Sequence, residues 1–217
     1  MLGRRLLVAA TVTAALVAGG ARGQDGASEP VFRLRPDPRM CPSPLCGGFF
    51  ASRVNRSLTA CFDGVARPAC YAAGVVLDRL AQPARERLRP ELATGRALVA
   101  GRFAPYGPEF PQLARLVVGA GWLAAGPRAT GGTVYRVVDT GVRCVRAPCF
   151  SLRATLVNGA RATALSELDL AASLAPAAAL ARARAELARA GVLVAGTIRA
   201  ERGGGRALVA AQVWLPA

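Results

Sequence analysis

The chain contains no lysine and no histidine. Without histidine there is no Ser-His-Asp or Cys-His nucleophile pair and no imidazole ligand for a metal. Without lysine there is no Schiff base and no Ser-Lys dyad. A G-x-S-x-G elbow, a Walker loop and a dinucleotide fingerprint are absent too. Aromatic residues make up only 6% of the 217, and Asn55 and Asn158 are the only asparagines. Beyond the first two dozen residues, no run matches the roughly 20 apolar residues that a membrane-spanning helix requires.

What is abundant is arginine. It supplies all 28 basic side chains, against 13 acidic ones, for a net charge of +15. Such a surplus suits an anionic partner, such as an envelope polymer or a lipid headgroup. The arginines are nevertheless scattered, and a GC-rich genome writes Arg, Ala, Gly and Pro wherever it can, which fits the scatter better. A nucleic-acid partner is not expected of an exported protein. Hydrophobic residues form 53% of the chain, enough for a real core in one or two small domains.

Export is read from the start of the chain. Arg4 and Arg5 precede an apolar run from Leu6 to Ala18, and small residues follow up to Gly23. This is the plan of a Sec-type signal peptide over 1–23, with cleavage before Gln24. The run is shorter than a bilayer span, and no cysteine near the cleavage point could carry a lipid. Residues 24–30 read as a flexible leader. The expected location is secreted or periplasmic.

The stretch from Val31 to Asn55 occurs twice. At an offset of 103, Val31, Arg33, Cys41, Cys46, Val54 and Asn55 recur as Val134, Arg136, Cys144, Cys149, Val157 and Asn158. At 95, Leu98, Val99, Ala100 and Gly101 recur as Leu193, Val194, Ala195 and Gly196. At 92, Trp122 and Leu123 recur as Trp214 and Leu215. Three ordered blocks indicate a tandem duplication, with units at 31–126 and 134–217 and a linker at 126–133. Alternating apolar residues predict strands, and Pro83 to Gly95 and Pro176 to Gly191 predict one helix per unit. Pro90 should bend or shorten the first helix, and Asp78 is a candidate cap for it. The expected fold is α+β: two tandem ββ(β)αββ repeats, each an antiparallel sheet covered by one helix, around a pseudo-two-fold axis. Trp122 and Trp214 are expected to seal the two cores.

Six cysteines beside a signal peptide read as disulfides, and 15 connectivities are possible. The duplication favours Cys41–Cys46 and Cys144–Cys149, leaving Cys61–Cys70 as the clasp of a hairpin present only in the first unit. Links between the halves are the main rival. Four thiolates, Cys41, Cys46, Cys144 and Cys149, could instead hold zinc, but exported thiols oxidise. C-x4-C is not the C-x-x-C of redox catalysts.

Candidate chemistry is sparse. Asp37, Asp139, Asp78 and Asp169 are the carboxylates in suggestive positions, and a pair of them could run glycoside hydrolysis, yet Asp also suits turns and caps. Arg146 lies inside the second cysteine ring, where it could enter the acidic pocket of a trypsin-like protease. Asn55 and Asn158 are expected to hold left-handed backbone and to bond local backbone within their own units; the alternative is an amide touching a ligand. No catalytic residue, metal or cofactor is expected. The reading is a non-catalytic exported binding or structural module, partnered by an anionic envelope component or a secreted protein. A disulfide-loop inhibitor is the alternative, ahead of a carboxylate-based hydrolase.

The segments DPRMCPSPLCGGFFASRVN and DTGVRCVRAPCFSLRATLVN, with their C-x4-C motifs, resemble an uncharacterised family of exported bacterial proteins, many from myxobacteria and related Gram-negatives. That family is a domain of unknown function. The resemblance implies an extracytoplasmic protein and assigns no activity.

Overall fold

A computed structural model describes residues 29–127 and 132–217. The expected signal peptide at 1–23, nearly all of the expected leader and the middle of the expected linker lie outside the described residues. The first half forms β1 (Val31–Pro36), β2 (Phe49–Arg53), β3 (Thr59–Ala60), β4 (Ala66–Arg67), β5 (Cys70–Ala72), β6 (Gly74–Val76), α1 (Gln82–Thr94), β7 (Ala97–Pro105) and β8 (Ala114–Ala124). The second forms β9 (Thr133–Asp139), β10 (Leu152–Leu156), β11 (Ala162–Leu165), β12 (Glu167–Asp169), a 3-10 turn (Ala171–Ser173), α2 (Ala177–Leu187), β13 (Val192–Ala200) and β14 (Arg206–Pro216).

The fold is α+β, a mostly antiparallel sheet with two helices. Two expected sheets are replaced by one of twelve strands, in the order β11-β10-β9-β13-β14-β8-β7-β1-β2-β5. The halves join where β8 and β14 pair antiparallel, Trp122 opposite Pro216 and Ala124 opposite Trp214. Each of those strands would otherwise present a row of unpaired backbone groups at an open edge. Two short strands, β6 and β12, run parallel to β8 and β14.

α1 begins and ends where proline and glycine place it, whereas α2 starts after Pro176 but stops at Leu187, short of Gly191; two further corrections concern α1. No side chain caps α1, and Asp78 forms an ion pair with Arg85 at 3.6 Å instead. Pro90 sits inside α1 without ending it. Gly95, with φ 70°, terminates the helix, since only glycine adopts that backbone freely. Leu88 and Leu92 point from α1 onto Phe32, Leu34, Val99, Leu116 and Val118. On the other half Ala183 of α2 belongs to a core with Val137, Val192, Val194 and Leu208. Burying a leucine in this way contributes about 1.5–3 kcal/mol.

A third core lies on the opposite face of the sheet. Val31, Val54, Leu98 and Ala100 meet Val134, Val157, Leu193 and Ala195 there. Strand alternation explains the division: Val99 faces α1 while Leu98 and Ala100 face away. The sheet therefore curls until its two halves touch. Trp122 and Trp214 belong to this shared core, not to the helix-covered ones as expected. The reason is a register shift in each β7–β8-type pair, between Ala100 and Gly101 and between Ala195 and Gly196. Each bulge inverts the alternation beyond it, so Leu116 and Val118 face α1 while Trp122 faces inward.

Candidate functional site

All six cysteines are oxidised, as Cys41–Cys46, Cys61–Cys70 and Cys144–Cys149, with Cα atoms 5.3 to 5.5 Å apart. With every sulfur in a disulfide, a four-thiolate zinc site drops out. The bonds fit an oxidising, extracellular or periplasmic environment. No helix among the described residues is long and apolar enough to cross a membrane.

The candidate carboxylates are each engaged locally. Asp37 accepts the Arg39 N–H at 3.0 Å and both arms of its guanidinium at 2.9 to 3.1 Å. Asp139 accepts the Gly141 N–H at 2.8 Å and Arg143 at 3.0 Å. The bonded guanidinium holds each carboxyl below its ordinary range. Asp169 accepts the Ala171 N–H at 2.9 Å, ahead of the 3-10 turn. These are turn-forming roles. Arg146 is exposed in the second ring, beside a fully exposed Val145.

The two asparagines do have left-handed backbone, φ 58° and 59°, but their side chains correct the expectation of local bonding. Asn55 Oδ1 accepts the Val134 N–H at 2.9 Å, and its Nδ2 donates to the carbonyls of Val134 at 2.7 Å and Val157 at 3.0 Å. Asn158 answers: Oδ1 accepts the Val31 N–H at 2.8 Å, and Nδ2 donates to Val31 at 2.7 Å and Val54 at 2.9 Å. Arg56 Nε adds a bond to the Asn158 carbonyl at 2.8 Å. Each amide thus reaches into the opposite half and has both its N–H groups committed there. The physical reason is the curled sheet, which sets the starts of β1 and β9 side by side and presents each asparagine with a backbone edge.

A groove of about 250 Å³ opens beside the first half. It is lined by Phe50, Tyr71 and Ala114 of the sheet, by Phe62, Asp63 and Arg67 of the β3–β4 hairpin, and by Gln112 and Leu113 of the β7–β8 loop. Gly64 at the hairpin tip has φ 79°. The bonded Arg67 guanidinium first, and then the Val65 N–H, lower Asp63 to about 2. Tyr71 donates to the Pro44 carbonyl at 2.8 Å, and burial raises its hydroxyl pKa. Its ring lies 5.7 Å from that of Phe50. Arg39 stacks over both rings, at 4.8 and 5.4 Å, and Arg35 lies over Phe50 at 5.6 Å. Sequence reasoning did not find this groove, although it held the signal. The clasped hairpin has no counterpart in the second half, and the loop 106–113 is longer than its counterpart, 201–205.

A clasped α+β domain closed by reciprocal asparagines is the class that the fold defines. A family model, Domain of unknown function (DUF6748), matches residues 30–217, and the chain belongs to that family. No curated protein and no solved structure matches the chain.

Proposed function

We propose that the protein is a non-catalytic, exported binding module, made by tandem duplication of one unit over 31–126 and 134–217. Support for the duplication comes from the strand order, which runs β10-β9-β13-β14 and then β8-β7-β1-β2. Equivalent strands occupy mirrored places about a pseudo-two-fold axis between β14 and β8. The signal peptide at 1–23 belongs to the same proposal: protein recovered from periplasm or culture fluid should begin at Gln24, and a retained Met1 would overturn the export reading.

One observation carries the binding reading. The two segments by which the first half exceeds the second, the clasped hairpin and the long β7–β8 loop, both line the same groove. A pair of unrelated additions has no packing reason to converge, whereas a ligand site built on a rigid sheet gives one. The test is a combined glycan and peptide array probed with the wild-type protein and with Phe62→Ala. Phe62 is exposed, so its loss spares the cores. Binding that falls tenfold or more, about 1.4 kcal/mol, supports the groove; an unchanged profile sinks it.

A second reading rests on the exposure of Val145 and Arg146 in a closed six-residue ring. A preorganised loop loses little entropy on binding, so the ring could occupy a protease pocket that takes arginine. Inhibition of trypsin that Arg146→Ala removes would favour it, and hydrolysis of small trypsin substrates at an unaltered rate would dismiss it.

A further inference from the structure

We infer that the groove continues into an arginine-bearing strip of the sheet, and that the ligand of this combined site is an acidic polysaccharide. The inference rests on the groove being the binding site. Cross-strand register sets Tyr71 opposite Phe50, Phe50 opposite Arg35, and Ser52 opposite Arg33. Directly opposed residues share a face, so Tyr71, Phe50 and Arg35 form one row, with Ser52 and Arg33 in the next. This is the face away from α1, whose side is taken by Phe32, Leu34 and Ala51. Arg33 and Arg35 are exposed, and same-face neighbours along a strand are about 7 Å apart. The site is therefore a track leading from the groove, not a point.

Charge selects an anion. Arg35, Arg39 and Arg67 line the track, against two carboxylates among the described residues, Asp37 and Asp63. The Asp37 side chain has no exposed surface beneath Arg39, whose own side chain stays half exposed. Among the described residues no carboxylate pairs with Arg35. The rings select a sugar. A pyranose presents a face of C–H groups with partial positive charge, which rests favourably on the negative face of an aromatic ring. Phe62, exposed beside the groove, supplies such a face, while Arg35 and Arg39 lie over the rings of Phe50 and Tyr71. The aromatics line a groove and do not ring a protruding tip, which disfavours a lipid surface. Three disulfides place the protein where nucleic acid is not the resident polymer.

Calorimetric titration of the purified, oxidised full chain tests the assignment. The probes are polygalacturonate, dextran sulfate and the methyl ester of polygalacturonate, which keeps the rings and removes the charge. Polygalacturonate or dextran sulfate should bind, more weakly as salt rises and the charges are screened, and the ester at least about tenfold more weakly. Arg35→Gln and Phe62→Ala should each weaken binding by about five- to tenfold. Arg184→Gln, which removes the same charge from an exposed site on α2, should leave it unchanged. An equal loss in Arg184→Gln reduces the effect to net charge and overturns the proposal. So does tighter binding of single-stranded oligothymidylate, or of vesicles containing anionic phospholipid. If neither polyanion binds while array binding still depends on Phe62, the ligand class is wrong and the groove stands. If that dependence is missing as well, both readings fall.

Discussion

Asn55 and Asn158 combine two properties that asparagine has and most residues lack: a tolerated left-handed backbone and an amide with both a donor and an acceptor. Each makes three hydrogen bonds to the opposite half. Asn55→Ala should lower stability by about 2–3 kcal/mol, part from the backbone and part from the lost amide bonds. Asn55→Gly keeps the backbone accessible, so its smaller loss in urea unfolding reads the amide bonds alone. An Asn55→Gly variant as stable as wild type would mean that the cross-half bonds contribute nothing. The backbone part was legible, because a chain with only two asparagines places them at equivalent points. The direction of the amides was not. Matching residues between repeats shows what is equivalent, and says nothing of whether an equivalent group acts within its own repeat or on the other.

At the scale of elements, the repeated Leu-Val-Ala-Gly was visible in the sequence, while the bulge that it serves was not. A Cβ on Gly101 would lie 2.3 Å from the Val117 carbonyl oxygen, and one on Gly196 would lie 2.1 Å from that of Val209. Backbone cannot step aside as a flexible side chain can. Gly196→Ala should therefore cost about 2 kcal/mol or more, read as a fall in the thermal midpoint; a variant as stable as wild type would show that the bulge can slide. The missed bulge also explains the misplaced tryptophans, since simple alternation carries Trp122 and Trp214 to the wrong face. The hairpin β3–β4 offers a separate check. Its Asp63 carboxyl, lowered to about 2 from 3.8, favours the folded hairpin above its unfolded value and ceases to do so as pH falls through about 2. Carboxyl titration by NMR should place its midpoint near that value, and Arg67→Gln should move it back towards the ordinary range.

For the whole molecule, the two halves are held by one short strand pairing, a shared core and the asparagine bonds. Cutting the linker at an engineered protease site within 128–131 should leave the halves travelling together on a sizing column. The same cut in an Asn55→Ala, Asn158→Ala double variant should release them in moderate urea, well before either half loses its own helix signal. Halves that part at once without denaturant would show that the linker holds them together. The two helices were legible from periodicity, glycine and proline. The single continuous sheet was not, because β8 and β14 are as apolar as any buried strand, and nothing in an apolar strand names its neighbour.

The ring 144–149 also governs what a hydrolytic nick can do. Cleavage of the peptide bond after Arg146 adds one water and sheds no fragment, because Cys144–Cys149 still ties the pieces on either side. A nicked population would share the mass of a singly hydrated chain and run as intact until thiol is added. Only then would it come apart, near the middle of β9–β10, into two polypeptides.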